Sequence, residues 1–180
     1  FCGNCGQKTT TKIPLGDQQL RQVCSACGNI HYVNPKVICG ALVVWENKVL
    51  LCRRAIEPRY GLWTLPAGYM EMFETMEQAS ARETREEAEA EIEIEQLYCL
   101  YNIPRIGQIY VLFKAQLLNG QFGAGEETIE SRLFSEDEIP WSELAFPSVE
   151  RTLQHYFADR KNNHFTTHLE TLGSRTDHTG

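Results

Sequence analysis

The longest apolar run in this 180-residue chain begins after Pro35, as Val37-Ile38-Cys39-Gly40-Ala41-Leu42-Val43-Val44-Trp45. The polar triplet Glu46-Asn47-Lys48 follows, then a second run, Val49-Leu50-Leu51-Cys52, ending on Arg53-Arg54. Two apolar runs joined by so short a polar break predict a β-hairpin. Residues 55–74 are punctuated by Pro58, Gly61 and Pro66-Ala67-Gly68, the composition of an ordered loop. From Thr75 the period changes: Met76, Ala79, Ser80, Glu83 and Glu87 recur at three and four residues, which predicts a helix to about Ala88. Thr75 with Gln78 three residues on has capping-box spacing. Glu91-Ile92-Glu93-Ile94-Glu95 alternates strictly, a half-exposed strand running toward Leu100. A turn at 102–107, a strand over Gln108–Leu118, a short strand at Leu133-Phe134 and an amphipathic helix over Phe146–Asp159 complete the pattern. Residues from about Lys161 are polar and read as a frayed tail. This order predicts an α/β protein layered around a mixed sheet.

Composition adds a boundary. Residues 1 to about 35 are poor in aliphatics and rich in Cys, Gly, Asn and Gln, so the expected division is 1–35, 36–160 and a tail at 161–180. Hydrophobic content of 42% and charged content of 23% are those of a globular protein. No apolar run nears the roughly 20 residues of a bilayer span, and the N-terminal residues are not those of a signal peptide. The first residue is not Met, so a short leader removed from the chain fits as well. The expectation is a cytoplasmic protein that does not bind membranes.

Net charge is −7 and concentrated: residues 71–95 hold ten Glu against Arg82 and Arg85, a local balance of −8. Such density coats a solvated helix or gathers cations, and it disfavours a broad nucleic-acid contact. Cys39, Cys52 and Cys99 lie in apolar stretches as small buried hydrophobes, whereas Cys2-x-x-Cys5 and Cys24-x-x-Cys27 form two knuckles 18 residues apart. Four thiolates complete a tetrahedral, closed, structural zinc site. A segment of about 35 residues buries too little apolar surface to fold alone, so metal binding supplies its stability. Its cations Lys8, Lys12 and Arg21 are scattered, which points to fold support or a subunit contact and away from nucleic acid.

Glu83, Glu86 and Glu87 stand at i, i+3 and i+4, one face within a single turn. Like charges at that spacing destabilise a helix, and a divalent cation removes the repulsion; oxygen ligands select Mg2+ or Mn2+. A solvated acidic face is the commoner reason for a glutamate run. The wider spacing decides between them: Gly68-x5-Glu74-x7-Arg82-Glu83-Thr84-Arg85-Glu86-Glu87-Ala88-Glu89-Ala90. Gly68 permits a close backbone approach, and Arg82 is placed to reach back to Glu74.

These positions resemble the Nudix signature, G-x5-E-x7-R-E-U-x-E-E-x-G-U with U aliphatic. Thr84 replaces the first U, and Glu89 replaces the glycine that ends the helix in a left-handed conformation, at a cost of roughly 1 kcal/mol. The resemblance covers about residues 36–160, and the preceding knuckles are similar to those of a zinc-ribbon subgroup. Within it, 61–71 (Gly61-Leu62-Trp63-Thr64-Leu65-Pro66-Ala67-Gly68-Tyr69-Met70-Glu71) and Ile103–Tyr110 look most like plant chloroplast FAD pyrophosphohydrolases and their bacterial relatives.

The resemblance implies a Nudix α/β/α sandwich and a pyrophosphohydrolase that splits a nucleoside diphosphate linked to X with water and Mg2+ or Mn2+. It makes Glu83, Glu86, Glu87 and the Gly68 carbonyl metal ligands, Glu74 and Arg82 braces, and Glu83 or a glutamate of Gly125–Glu130 such as Glu127 the base. Arg53 and Arg54 are candidates for phosphate or a flavin edge. Trp63, Tyr69 and Tyr110 are candidates for the ring pocket, although a tryptophan packs in a core as readily. The implied substrate is FAD, cut to FMN and AMP, ahead of ADP-ribose or NADH. NADH stands lower because only Leu144-Ala145-Phe146-Pro147-Ser148 stands in for the longer Pro/Trp-rich element of NADH-cleaving relatives. A homodimer acting on a dinucleotide, without nucleic acid or membrane, is the expected assembly. A nucleotide-sensing module without turnover is the alternative; against it, every carboxylate of the signature is present and no helix-turn-helix segment accompanies it.

Overall fold

The computed structural model describes residues 1–173. The chain divides into two compact units, Phe1–Pro35 and the remainder from Lys36. In the first, β1 (Thr9–Lys12), β2 (Arg21–Cys24) and β3 (Ile30–His31) form a three-stranded antiparallel sheet.

The second unit is built on a hairpin of β4 (Lys36–Trp45) and β5 (Lys48–Arg54), in which Val44 faces Val49 and Trp45 faces Lys48. The two turn residues Glu46 and Asn47 both have positive φ (46° and 67°), the two-residue turn whose twist matches its strands. The 55–74 segment expected as loop carries two short strands, β6 (Trp63–Thr64) on β5 and β7 (Ala67–Tyr69) on β4. Helix α1 (Met76–Ala88) starts at Thr75, whose side chain accepts from the Gln78 N–H while Gln78 returns a bond to the Thr75 N–H. It ends at Glu89 in the left-handed region (φ 48°, ψ 33°), the conformation in which a glycine costs least.

Strand β8 (Ile92–Ile103) runs three residues past its expected end, and a single 3-10 turn over Pro104–Ile106 leads to β9 (Gln108–Leu117). Strand β10 (Thr128–Phe134) is longer than the expected Leu133-Phe134 pair. Helix α2 (Pro147–Asn162) has proline at its first position, where the missing N–H costs nothing. The frayed tail expected from Lys161 needs correcting: α2 continues to Asn162, and β11 (His168–Thr171) pairs parallel to β8 from His168 against Cys99 to Thr171 against Asn102. The rest of that tail, 174–180, lies outside the described residues.

The sheet order is β10-β5-β4-β9-β8-β11, with β4–β9 and β8–β11 parallel and the other pairs antiparallel: the mixed sheet read from the pattern. The period of two sorts side chains between its faces. Cys39, Ala41 and Val43 of β4 pack on the α1 side with Leu50, Cys52, Val111 and Ala115. Leu42 and Val44 pack on the other with Leu51, Leu112 and Val149, Leu153, Tyr156 and Phe157 of α2. Small residues dominate the α1 side, with Ala79 and Ala88 fully buried, so α1 sits close to the sheet. Each large side chain buried on the α2 side contributes roughly 1.5–3 kcal/mol. Cys39, Cys52 and Cys99 are buried as expected. No helix among the described residues is long and apolar enough to cross a membrane.

Candidate active site

In the ribbon, Sγ atoms lie 3.8 Å apart for Cys2–Cys27, 3.5 Å for Cys5–Cys24 and 3.5 Å for Cys5–Cys27, and all four fall within 4.8 Å of one another. Four sulfurs about 2.3 Å from one ion stand about 3.8 Å apart at the edges of a tetrahedron, so the four thiols fit zinc. The Cys24 thiol is drawn down to about 6, chiefly by the N–H of Cys27, with that of Ala26 assisting.

Around α1, Arg82 is the hub. Its guanidinium grips Glu74 through Nη2–Oε1 (2.7 Å) and Nε–Oε2 (3.0 Å), and donates through Nη1 to Glu83 (2.7 Å) and Glu86 (3.0 Å). It also donates to the Tyr69 carbonyl at 3.1 Å, while the Glu71 N–H donates to Glu74 at 2.6 Å. Arg82 therefore holds the 69–74 loop to the helix, and Glu74 is kept below the ordinary carboxylate range chiefly by its bonds with Arg82.

One cation does not balance this cluster. Glu87 is 9% exposed, takes one bond from the Ala67 N–H (3.1 Å) and has no ion pair among the described residues. Burial pushes its carboxyl up to about 8; the Ala67 N–H and the charge of Arg54 oppose the rise, and the charges of Glu83 and Glu127 add to it. Burial likewise raises Glu83 against the pull of Arg82. A buried carboxylate facing two others, without an ion pair of its own among the described residues, fits a divalent metal with oxygen ligands.

Two glycines are required by close approach. A Cβ on Gly68 would stand 2.3–2.4 Å from the Glu83 carboxylate, so that position brings the acid against the β7 backbone. A Cβ on Gly125 would meet the Glu86 carbonyl oxygen at 1.7 Å. Gly125 lets the 121–127 loop dock on the end of α1, where the Gly125 N–H donates to Glu87 O (3.1 Å) and the Gly123 N–H to Ala88 O (2.7 Å). That docking brings Glu126 and Glu127 to the carboxylates of α1. Gly125 was not singled out from sequence, since nothing in its neighbourhood announces that it meets a helix 40 residues earlier.

Gly68, Glu83, Glu86, Glu87, Glu127 and Arg54 line one cavity of about 570 Å3. A second of about 590 Å3 shares Arg54, Ile56, Ala67, Gly68 and Tyr69 with it, so the two adjoin. The second is largely apolar, with Tyr110, Ile103, Phe146 and Val149 on its walls and Arg105 and Arg59 beside them. Tyr69 bonds Gln108 (3.2 Å), and burial raises the Tyr110 phenol. The Arg54 Nε donates to Pro58 O (2.9 Å), and its guanidinium lies 5.3 Å from the Phe146 ring centre.

Two candidates are corrected. Trp63 is 6% exposed, its ring edge-on to Phe134 at 4.9 Å; it packs in the core and lines neither cavity. Arg53 donates to Gly61 O (2.8 Å) and Glu130 (3.0 Å) and also lines neither. Period two separates it from Arg54, since adjacent residues of β5 face opposite ways. Sequence reading missed Ile56, Arg105 and Leu172, which do line the second cavity.

Comparison with known proteins agrees with this arrangement. Residues 1–33 match the Nudix N-terminal zinc-ribbon model and residues 35–156 the NUDIX domain model. A solved structure of a NUDIX hydrolase from Nitrosomonas europaea superposes with a TM-score of 0.92 at 49% identity, covering 96% of this chain and 98% of that one. The ADP-ribose pyrophosphatase of Methanocaldococcus jannaschii is 31% identical over 119 residues, 64% of this chain and 69% of that protein. The NAD-capped RNA hydrolase NudC of Pseudomonas aeruginosa is 32% identical over 145 residues, 78% of this chain; the chain spans about half (49%) of that relative's length. A relative named for a capped RNA removes the support for excluding nucleic acid as a partner. With its domain match covering residues 35–156 behind a matching ribbon, the chain belongs to the Nudix hydrolase family.

Proposed function

We propose that the chain is a pyrophosphohydrolase of ADP-linked dinucleotides, with FAD, giving FMN and AMP, as its preferred substrate. The observation that carries this reading is a carboxylate-lined cavity that shares five wall residues with the apolar cleft beside it. Glu83, Glu86, Glu87 and the Gly68 carbonyl hold the ions; Arg82 and Glu74 fix the loop they share. Mg2+ or Mn2+, when bound, neutralises pyrophosphate charge and acidifies water. Glu127, on the loop docked against α1, takes the proton of the attacking water, with Glu83 as the other candidate. Arg54, at the junction of the cavities, holds a phosphate oxygen. Tyr69 and Tyr110 face a planar ring in the cleft.

The apolar cleft favours a substrate with a ring on each side of the pyrophosphate, which places FAD ahead of ADP-ribose. ADP-ribose is the second reading, supported by the name of the archaeal relative at 31% identity. Zinc on Cys2, Cys5, Cys24 and Cys27 is structural. A panel of FAD, NADH, ADP-ribose and a capped RNA with Mg2+ and Mn2+, read by product chromatography, tests the proposal. FMN and AMP as dominant products are expected. A catalytic efficiency for ADP-ribose about tenfold above that for FAD, roughly 1.4 kcal/mol, overturns the substrate and leaves the reaction standing; no cleavage of any pyrophosphate overturns both.

A further inference from the structure

Strand β11 was expected to be frayed, and its composition is polar, yet its side chains alternate with purpose. His168 and Glu170 share one side of the strand, Leu172 follows on that side in the turn just past its end, and Leu169 is exposed on the other. Glu170 takes a two-pronged grip from Arg151 of α2 (Nη2–Oε1 2.9 Å, Nε–Oε2 3.1 Å) and a bond with His155 Nε2 at 2.6 Å. His168 Nε2 bonds Asp159 of α2 at 2.8 Å, and the same carboxylate oxygen accepts from Tyr98 of β8 at 2.9 Å. The His155 and His168 rings stack, centres 3.8 Å apart. Two anchors in a row thus fix the strand to α2 as well as to β8.

The third inward residue, Leu172, has no anchor to make. Its N–H donates to Asn102 O (2.8 Å), and its side chain packs in the α2-side core, from which it reaches the wall of the apolar cleft with Gly173. Ile103, Tyr110 and Val149 stand around the same cleft. Leu172 does not line the carboxylate cavity. Leu172 thus offers an apolar wall in the cleft and none in the carboxylate cavity.

We propose that β11 and the turn residue that follows it form the specificity wall of the active site: Leu172 contacts the aromatic ring of the substrate, and Glu170 and His168 are positioning residues that hold it there. This rests on the pyrophosphohydrolase reading above and adds the element that selects ring-bearing substrates. Toward the substrate Leu172 meets the ring and not the carboxylate cavity, so its removal weakens binding without touching the chemistry, and kcat and KM separate.

The test uses the full chain with Leu172→Ala, Leu172→Met and Glu170→Gln, assayed below their melting midpoints with FAD at saturating Mg2+. Leu172→Ala is expected to raise KM about tenfold with kcat within about twofold. Leu172→Met, which refills the space, restores most of the affinity, and Glu170→Gln falls between. An unchanged KM in folded Leu172→Ala overturns the proposal. Should the unaltered chain cleave no dinucleotide, the pyrophosphohydrolase reading fails by itself, and the wall is then read from equilibrium titration of AMP and FMN. Weaker binding of either to Leu172→Ala upholds the wall; equal binding, or none to the unaltered chain, overturns it.

Discussion

Two charged clusters flank the sheet, and they are built on opposite accounting. At α2, Arg151 with His155 matches Glu170, and His168 with the Tyr98 hydroxyl satisfies Asp159. At α1, a single Arg82 pairs with Glu74, Glu83 and Glu86, while buried Glu87 has no ion pair among the described residues and only Arg54 near enough to act on its charge. The first cluster is satisfied by the chain and holds a strand in place. The second is left electrically incomplete, which costs stability and is sensible only where something from solution completes it. Net charge alone does not separate structure from chemistry here; what separates them is whether each carboxylate finds its partner within the fold.

The sharpest way to break this comparison is to remove one charge from the incomplete cluster. Glu86→Gln is expected to lower kcat at least about a hundredfold, roughly 2.7 kcal/mol, with the circular dichroism spectrum unchanged. Turnover within threefold of the unaltered chain removes Glu86 from the ion site. The four thiols extend the comparison, since they too await a cation. Protein purified under reducing conditions is expected to hold about one zinc per chain through dialysis. Elemental analysis showing none, with four freely titratable thiols, contradicts that assignment.

Breaking the satisfied cluster is expected to act on stability. Asp159→Asn strips His168 and Tyr98 of their charged acceptor and lowers stability by about 1–3 kcal/mol, a drop of several degrees in Tm. An unchanged Tm means that the clamp holds nothing.

The smallest effect is the opposite pH dependence of the clusters in ion-free protein. Glu87 has a folded pKa near 8, above the ordinary 4.5. As pH rises through 4.5 the unfolded chain sheds a proton that the folded chain keeps, so stability falls until about pH 8. Asp159 runs the other way: burial raises its carboxyl, but the bonds from His168 and Tyr98 outweigh that and hold it below the usual value. Its contribution is present above about pH 4 and is lost as pH falls further. Melting curves in chelator are expected to show the gap between Glu87→Gln and the unaltered chain widening from pH 5 to 8. A constant gap contradicts the burial of that charge.

The hairpin, α1 with its capping box and the helix end at Glu89 were legible in sequence because each rests on local rules. Period, cap chemistry and the Gly68–Glu87 spacing all fall within about 20 residues. What escaped depends on contacts between distant segments. Trp63 packs on Phe134 across 71 positions of sequence, and Arg53 differs from Arg54 only in the face to which β5 turns it. Strand β11 escaped because its buried-side residues, His168 and Glu170, are polar, so the hydrophobic period of two is absent and only the partners on α2 reveal it. Gly125 matters through the Glu86 carbonyl it passes, which no local pattern records.

In the proposed ion-dependent chemistry α1 forgoes stability, and Glu87→Gln tests this with one paired measurement. The substitution keeps shape and can still accept the Ala67 N–H, so it removes charge alone. Tm in chelator at pH 8 and turnover with Mg2+ are read on the same preparation. The account predicts a higher Tm than the unaltered chain and turnover at least about a hundredfold lower; a lower Tm with turnover within threefold contradicts it.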